Sequence, residues 1–595
     1  MQKALVGMGA IPQKKGVAFR VWAPNAKSVS VIGDFNDWKP KKSPLESECG
    51  GYWYADVPEA KIGDEYRYHL DTAVGELSKI DPYAREVTNS VGNGVIHNPE
   101  FKWTDADFKR PTQDKLVIYE MHVGTFFDPS PEDEDPASLK DSARKLAHLK
   151  HLGINAIEVM PVTEFAGGLS WGYNPSHIFA VESAYGGQKA LKEFVNKAHR
   201  EGIAVILDVV YNHLGPSDLD LWQFDGFSEG EGGGIYFYDD DRSTTPWGNT
   251  RPDYGRREVR DYIRDNALMW LEECHVDGLR FDGSVYVRRV DGPGDQDLPE
   301  GWSLLQWLNT EIQARVPGAI TIAEDLQNSE WLTKNPEENG AGFGSQWDAS
   351  FVHPIREAII TSFDENRSMA AVAAAINFNY NGYPFQRVIY TESHDEVANG
   401  KARVPEEVNP KDSDDWRAQK RSTLGAGIML TAPGIPMIFQ GQEFLQDKYF
   451  TDESPLDWEL NRAHKGIVLL YRDLIRMRLN VKGMTGGLCG SHVSTHHVNE
   501  EAKLIAFHRW EQGGPGDDVI IVANFSQSTR EDYTIGFPKE GLWKLRFNSD
   551  SHDYSNEFKN FFSGDAVATP SEKDGYPYQG KVHIAPYSVL IFSQE

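Results

Sequence analysis

The sequence predicts a multidomain protein in which a central (β/α)8 barrel is flanked by an N-terminal β-sandwich and a C-terminal β-sandwich. Three observations predict it. Through the middle of the chain, continuous apolar runs alternate with helix-like segments, the pattern of parallel βαβ units. Four of those runs end in acids or imidazoles, and in a barrel of parallel strands such ends converge on one mouth. Both ends of the chain instead carry short alternating strands separated by turn residues. At 595 residues the chain is too long for one core. The expected domains are 1–110, 111–483 with a long loop at 214–256, and 484–595.

In the first domain the strands are expected at 17–22, 28–32, 51–54 and 65–68. Trp38 and Trp53 lie among them, as sugar-facing rings or as core. The first barrel strand is Leu116-Val117-Ile118-Tyr119-Glu120, apolar throughout as a strand covered on both faces should be. Glu120 and His122 at its end read as stabilising the mouth. An acidic, proline-containing loop runs to residue 136, followed by a helix at 138–152, a strand at 156–161, a helix at 188–201 and a strand at 204–210. The loop 214–256 is long for a compact domain and is expected to form a lid or subdomain over the mouth. A helix at 257–274 leads into Gly278-Leu279-Arg280-Phe281-Asp282-Gly283, and strands at 319–323, 344–348, 388–390 and 435–439 follow. Helices are expected at 365–377 and 462–478, the latter closing the barrel. The strands at 504–507 and 519–525 belong to the second sandwich, which carries no chemistry of its own.

The formal charge of −29 argues against nucleic acid or an anionic membrane, because phosphates are held by basic groups. A neutral substrate fits better, and the 16 Trp and 24 Tyr include more rings than cores need, which suits sugars. Cys49, Cys274 and Cys489 are scattered and odd in number, neither a disulfide framework nor a metal-site spacing. Residues 1–10 lack a secretory apolar core and no run is long enough to span a membrane. The expectation is a soluble cytoplasmic protein with no cofactor and no metal, its oligomeric state left open with a monomer favoured.

On a strand, alternate side chains face the same way, so Arg280 sits beside Asp282 and favours its ionised form. Breaking a glycosidic bond needs one ionised carboxyl to take the anomeric carbon and one protonated carboxyl to release the leaving oxygen. Asp282 and Glu324 supply that pair, and Asp395 is a third carboxylate for sugar hydroxyls and the distorted ring. His213 and His394 are expected to be neutral donors to hydroxyls. Asn212 is set aside, since no dense acidic loop of the calcium-binding kind surrounds it. Glu392 and Glu396 are either acceptor-site or merely solvated residues.

The segments Asp208-Val209-Val210-Tyr211-Asn212-His213, Gly278-Leu279-Arg280-Phe281-Asp282, Ala323-Glu324-Asp325 and Ser393-His394-Asp395 resemble, in order, the four conserved regions of the α-amylase superfamily. Trp22-Ala23-Pro24-Asn25-Ala26 and Gly33-Asp34-Phe35-Asn36-Asp37-Trp38 resemble the N-terminal carbohydrate-binding-type module of isoamylases, glycogen branching enzymes and trehalohydrolases. The resemblance covers about residues 15–595. It implies Asp282 as nucleophile, Glu324 as general acid/base and Asp395 as transition-state stabiliser of a retaining reaction on an α-glucan. It implies a sugar subsite lined by Asp208, His213, Arg280 and His394, with Tyr173, in Trp171-Gly172-Tyr173-Asn174, as its stacking ring. Trp171 joins that lining, and Trp247 is a lid anchor or a sugar platform.

Ser393-His394-Asp395-Glu396-Val397 with Asn399-Gly400-Lys401 resembles glycogen branching enzymes, whereas Thr245-Pro246-Trp247-Gly248-Asn249 is similar to maltooligosyltrehalose trehalohydrolase. The chain lacks the Glu-Ser-Asp and Asn-His-Asp-Gln of the trehalohydrolases, which favours branching. The alternatives are an α-glucan hydrolase and, more remotely, a catalytically silent glucan-binding protein.

Overall fold

The computed structural model describes residues 7–132 and 135–595. Most of the N-terminal stretch read for a leader, residues 1–6, lies outside the described residues, as do residues 133 and 134 of the acidic loop.

Eight parallel strands close into a barrel in the order Ile118–Met121, Ala156–Val159, Ala204–Val209, Gly278–Phe281, Ile320–Ala323, Ser345–Trp347, Arg387–Ile389 and Ile435–Phe439. Nearly every residue of these strands is buried, because helices cover the outside and side chains fill the inside. The surrounding helices form by the expected periodicity where one face meets the barrel. Gly187–Arg200 buries Leu191, Phe194, Val195 and Ala198, one stripe at helical spacing. The helix anticipated across 138–152 is broken into Leu139–Ser142 and Leu146–Leu152 by an intervening 3-10 turn.

Three helices of twelve residues or more have no counterpart in the sequence reading, each for a physical reason. Trp416–Thr431 is buried on nearly every side between barrel and C-terminal sheet, so it shows no polar stripe. Ala349–Ile360 carries Pro354 inside it, and Pro299–Arg315 opens on a proline, a residue that reads as a breaker unless it stands in the first turn.

The N-terminal module is two small antiparallel sheets, one built around Val17–Trp22 and Tyr52–Val57, the other around Ser28–Gly33 and Glu65–Thr72. They meet through Phe19, Tyr66 and Tyr68, whose rings pack edge to face. Trp53 is tied into this module by a bond from Nε1 to Ala23 O at 2.9 Å, and Trp38 Nε1 bonds to Asp34 at 3.2 Å. The C-terminal part is an eight-stranded antiparallel sheet that curls around Leu504, Ile520, Val522, Ile535, Trp543 and Phe592. Among the described residues no helix is long and apolar enough to cross a membrane, and the three cysteines are free thiols.

Segment 214–256 joins the module to the mouth. Its first half is held by the module: Arg67 pairs with Asp220 at 2.6 Å, Asn25 donates to Asp225 at 2.8 and 3.0 Å, Lys79 donates to Trp222 O at 2.9 Å and Ser90 to Asp218 at 2.9 Å. Its second half lays Trp247 on His213, with ring centroids 4.5 Å apart and planes 12° from parallel.

Candidate active site

Asp282 and Glu324 each follow the last residue of a barrel strand and Asp395 lies in the turn six residues past Ile389, so the barrel brings all three to one end. Arg280 is the hub. It is fully buried on Gly278–Phe281, and its Nη1 reaches Asp208 at 2.7 Å and Asp282 at 3.0 Å, while Nη2 lies 3.7 Å from Glu324. One guanidinium therefore faces three carboxyl groups from three strands. Tyr173 caps the same cluster: its hydroxyl donates to Asp208 at 2.7 Å and its ring stacks on His394 at 5.0 Å. His394 Nε2 in turn stands 3.5 Å from Asp395. The side chains of Asp282 and Glu324 are 12 % and 13 % exposed and that of Asp395 is 47 % exposed, so the first two line the floor and the third faces open solvent.

Two glycines are required by this packing. Gly283, at φ 47°, is in the left-handed region, where a Cβ would come within 2.7 Å of Asn212 Nδ2, and its N–H donates to Glu324 Oε2 at 2.6 Å. Gly172, at φ 92°, sets Trp171 and Tyr173 around a turn in which a Cβ would lie 2.3 Å from Pro161 O. Trp171 meets His394 edge-on at 5.8 Å, and Trp247 is 38 % exposed beside Tyr286 at 5.1 Å. These contacts join Asp208, Arg280, Asp282, Glu324, Asp395, Tyr173, His394 and Trp171, and His213 with Trp247 is joined to them through Asn212, which bonds to both the His213 ring and Asp282.

The electrostatics differ from group to group. Burial pushes the Glu324 carboxyl up to about 7, the Arg280 charge opposing this and the Asp282 and Asp395 carboxylates adding to it. Burial holds His213 down to about 4, so it is neutral as expected. His394 corrects the expectation of a neutral ring. Burial lowers it, but the Asp395 and Glu120 carboxylates outweigh burial and carry it up to about 9. The Tyr173 hydroxyl is raised by burial and remains a donor.

Several neighbours were misjudged or missed from the sequence. Asn212, set aside as a calcium residue, donates Nδ2 to Asp282 O at 2.7 Å and to Asp282 Oδ2 at 2.8 Å, so it helps to orient that carboxylate. Glu392 and Glu396 are neither solvated nor open to an acceptor. Glu392 is 1 % exposed, accepts from Val404 N at 2.6 Å and faces Arg403, whereas Glu396 is 7 % exposed between Lys401 and Arg356. Both are sequence neighbours of Asp395 in the irregular backbone after Arg387–Ile389, and their ion pairs hold them inward. Among the described residues there is no group of three or more His, Cys, Asp or Glu side chains arranged to hold a metal ion.

Comparison with known proteins gives three matched family descriptions: carbohydrate-binding module 48 (isoamylase N-terminal domain) over residues 7–84, alpha amylase, catalytic domain over 105–225 and 248–474, and alpha amylase, C-terminal all-beta domain over 495–595. The chain is 31 % identical to the 1,4-alpha-glucan branching enzyme GlgB of Prochlorococcus marinus (strain MIT 9301) over 632 aligned residues, covering 98 % of this chain and 82 % of that protein. It is 30 % identical to the 1,4-alpha-glucan branching enzyme GlgB of Oceanobacillus iheyensis, covering 98 % of this chain and 93 % of that protein. Its fold is similar to that of a pullulanase from Anoxybacillus sp. LM18-11 complexed with maltotetraose, with a TM-score of 0.75 at 20 % identity over 100 % of this chain and 88 % of that one.

Proposed function

The chain belongs to the α-amylase family, and from that premise we propose that it is a 1,4-α-glucan branching enzyme. The observation that carries this reading is the nearly end-to-end match to proteins of that activity, N-terminal module included. In the proposed reaction Asp282 attacks the anomeric carbon of an α-1,4 bond and Glu324 protonates the departing oxygen. The chain is then held as a glycosyl ester on Asp282. Glu324, now ionised, takes the proton of a 6-hydroxyl on a second glucan chain, and that oxygen displaces Asp282 to make an α-1,6 branch with retained configuration.

The groups present support each role. Arg280 and Asn212 hold the two oxygens of Asp282, an arrangement that fixes the orientation of the nucleophile. A Glu324 carboxyl raised to about 7 can both give and take a proton near neutrality. Asp395, with His394 beside it, is the partner for the cation-like ring, and Tyr173, Asp208 and His213 are the lining of that sugar's subsite, with Trp171 and Trp247 at its rim. Transfer in place of hydrolysis depends on an acceptor held close and water kept out, and the exposed Trp247 offers a face for that acceptor. The reading includes a cytoplasmic location, since a reducing compartment keeps three free thiols as they are.

Incubation with amylose tests it. Branching makes new α-1,6 linkages without a rise in reducing ends. A rise in reducing ends makes the enzyme a hydrolase, release of trehalose from maltooligosyltrehalose makes it a trehalohydrolase, and unchanged glucan leaves only a binding protein.

A further inference from the structure

Glu120 has no part in the scheme above, yet both of its carboxylate oxygens are committed to one residue of it. It lies on Ile118–Met121 and is 1 % exposed. Its Oε1 is 2.5 Å from His394 Nδ1, and its Oε2 accepts from the His394 backbone N–H at 3.1 Å. Glu120 is on Ile118–Met121 and His394 is in the turn after Arg387–Ile389, two strands separated in the barrel by Ile435–Phe439, so this contact spans the mouth past that strand. A two-point hold of this kind fixes the ring plane as well as the proton on Nδ1. With Nδ1–H directed at Glu120, the remaining nitrogen, Nε2, is the one turned toward Asp395.

We propose that Glu120 is a positioning residue that keeps His394 doubly protonated, so that Nε2 is a charged donor in the cleft. The inference rests on the glycosyl-transfer reading of that cleft. The other groups around the ring do not replace Glu120. Asp395, 3.5 Å from Nε2, favours the same charge but is 47 % exposed and makes no hydrogen bond to the ring, whereas Glu120 is buried and bonded to Nδ1. Arg280 repels the imidazolium, the Tyr173 hydroxyl is 3.5 Å from Nδ1, His122 opposes a second charge, and burial pushes the Glu158 carboxyl well above the usual carboxylate range. Without Glu120, burial and Arg280 act against the charge, and the exposed Asp395 is the carboxylate left in its favour.

Glu120→Gln tests this in the full chain, since the amide keeps an acceptor oxygen for Nδ1 and removes the charge. The ring nitrogen shifts of His394, assigned by their loss in His394→Gln, report its titration without substrate. In the native protein the ring is expected to stay protonated beyond about pH 8, and in Glu120→Gln to titrate near or below neutrality. Turnover of α-1,4-glucan is expected to fall about 10- to 100-fold, the usual effect of losing an outer hydrogen-bond partner. The alkaline limb of kcat should steepen from loss of one proton to loss of two, because His394 then titrates in the same range as Glu324. Glu120→Asp should bring the single-proton limb back in part, and a purely structural role would not. A folded Glu120→Gln protein with unmoved His394 titration overturns the proposal. If that variant does not fold, a His394 ring that titrates below about pH 7 in the native protein overturns it equally. A chain that lacks transferase activity would refute the functional reading and leave the titration result standing by itself.

Discussion

At the scale of single residues, the arrangement turns on Arg280. A fully buried guanidinium costs several kcal/mol in desolvation unless it is well paired, and here it is shared by Asp208, Asp282 and Glu324. Asp282 alone of the three also has an amide on its second oxygen. Asp282→Asn should therefore keep the fold and lower kcat by on the order of 10⁴-fold or more, checked by steady-state kinetics with circular dichroism as the control. The pH dependence follows from Glu324. Its carboxyl is raised to about 7, so the proton needed for bond cleavage is in place below that pH and lost as pH rises through it. A pH series of kcat/KM should show a descending limb centred near 7, and Glu324→Gln should remove both the limb and most of the activity. The acids were legible in the sequence because strand alternation and strand ends are local. The charge on His394 was not, because Glu120 lies 274 positions away. Asn212 was also opaque, as an asparagine beside an acid gives no local sign of the carboxylate it orients.

At the scale of elements, the barrel strands could be read because double burial makes them uniformly apolar, while Trp416–Thr431 hid for the same reason. That helix carries Lys420, whose ammonium is wholly buried against Asp550 at 2.7 Å and Ser588 at 2.6 Å across the junction with the C-terminal sheet. Breaking a buried pair strands the other charge, which typically costs about 3–5 kcal/mol. Asp550→Ala should lower stability by that amount in urea unfolding, and replacing Lys420 and Asp550 together by Met and Ala should recover much of it. Gly283→Ala is a backbone counterpart. It forces a side chain into a left-handed turn against Asn212, and should depress activity more than stability, as seen by comparing kcat with the melting temperature.

At the scale of the whole molecule, the −29 charge and the neutral substrate class make an electrostatic prediction. Substrate without charge is not steered by the protein's field, so KM for amylose should be unchanged between about 0.05 and 0.5 M salt, measured at constant pH. A salt-dependent KM would point to an anionic glucan derivative. The three-part architecture was legible from the switch between alternating and continuous apolar runs, but the way the parts touch was not, since polar contacts between distant segments leave no periodic trace.

The grip of the N-terminal module on segment 214–256 has a practical consequence for how the enzyme is dissected. Arg67, Asn25, Lys79 and Ser90 hold one end of a strap whose other end carries Trp247. Trimming the chain to its catalytic core would cut that strap's moorings, so a shortened enzyme with poorer acceptor use would report a slackened rim, not a lost glucan anchor.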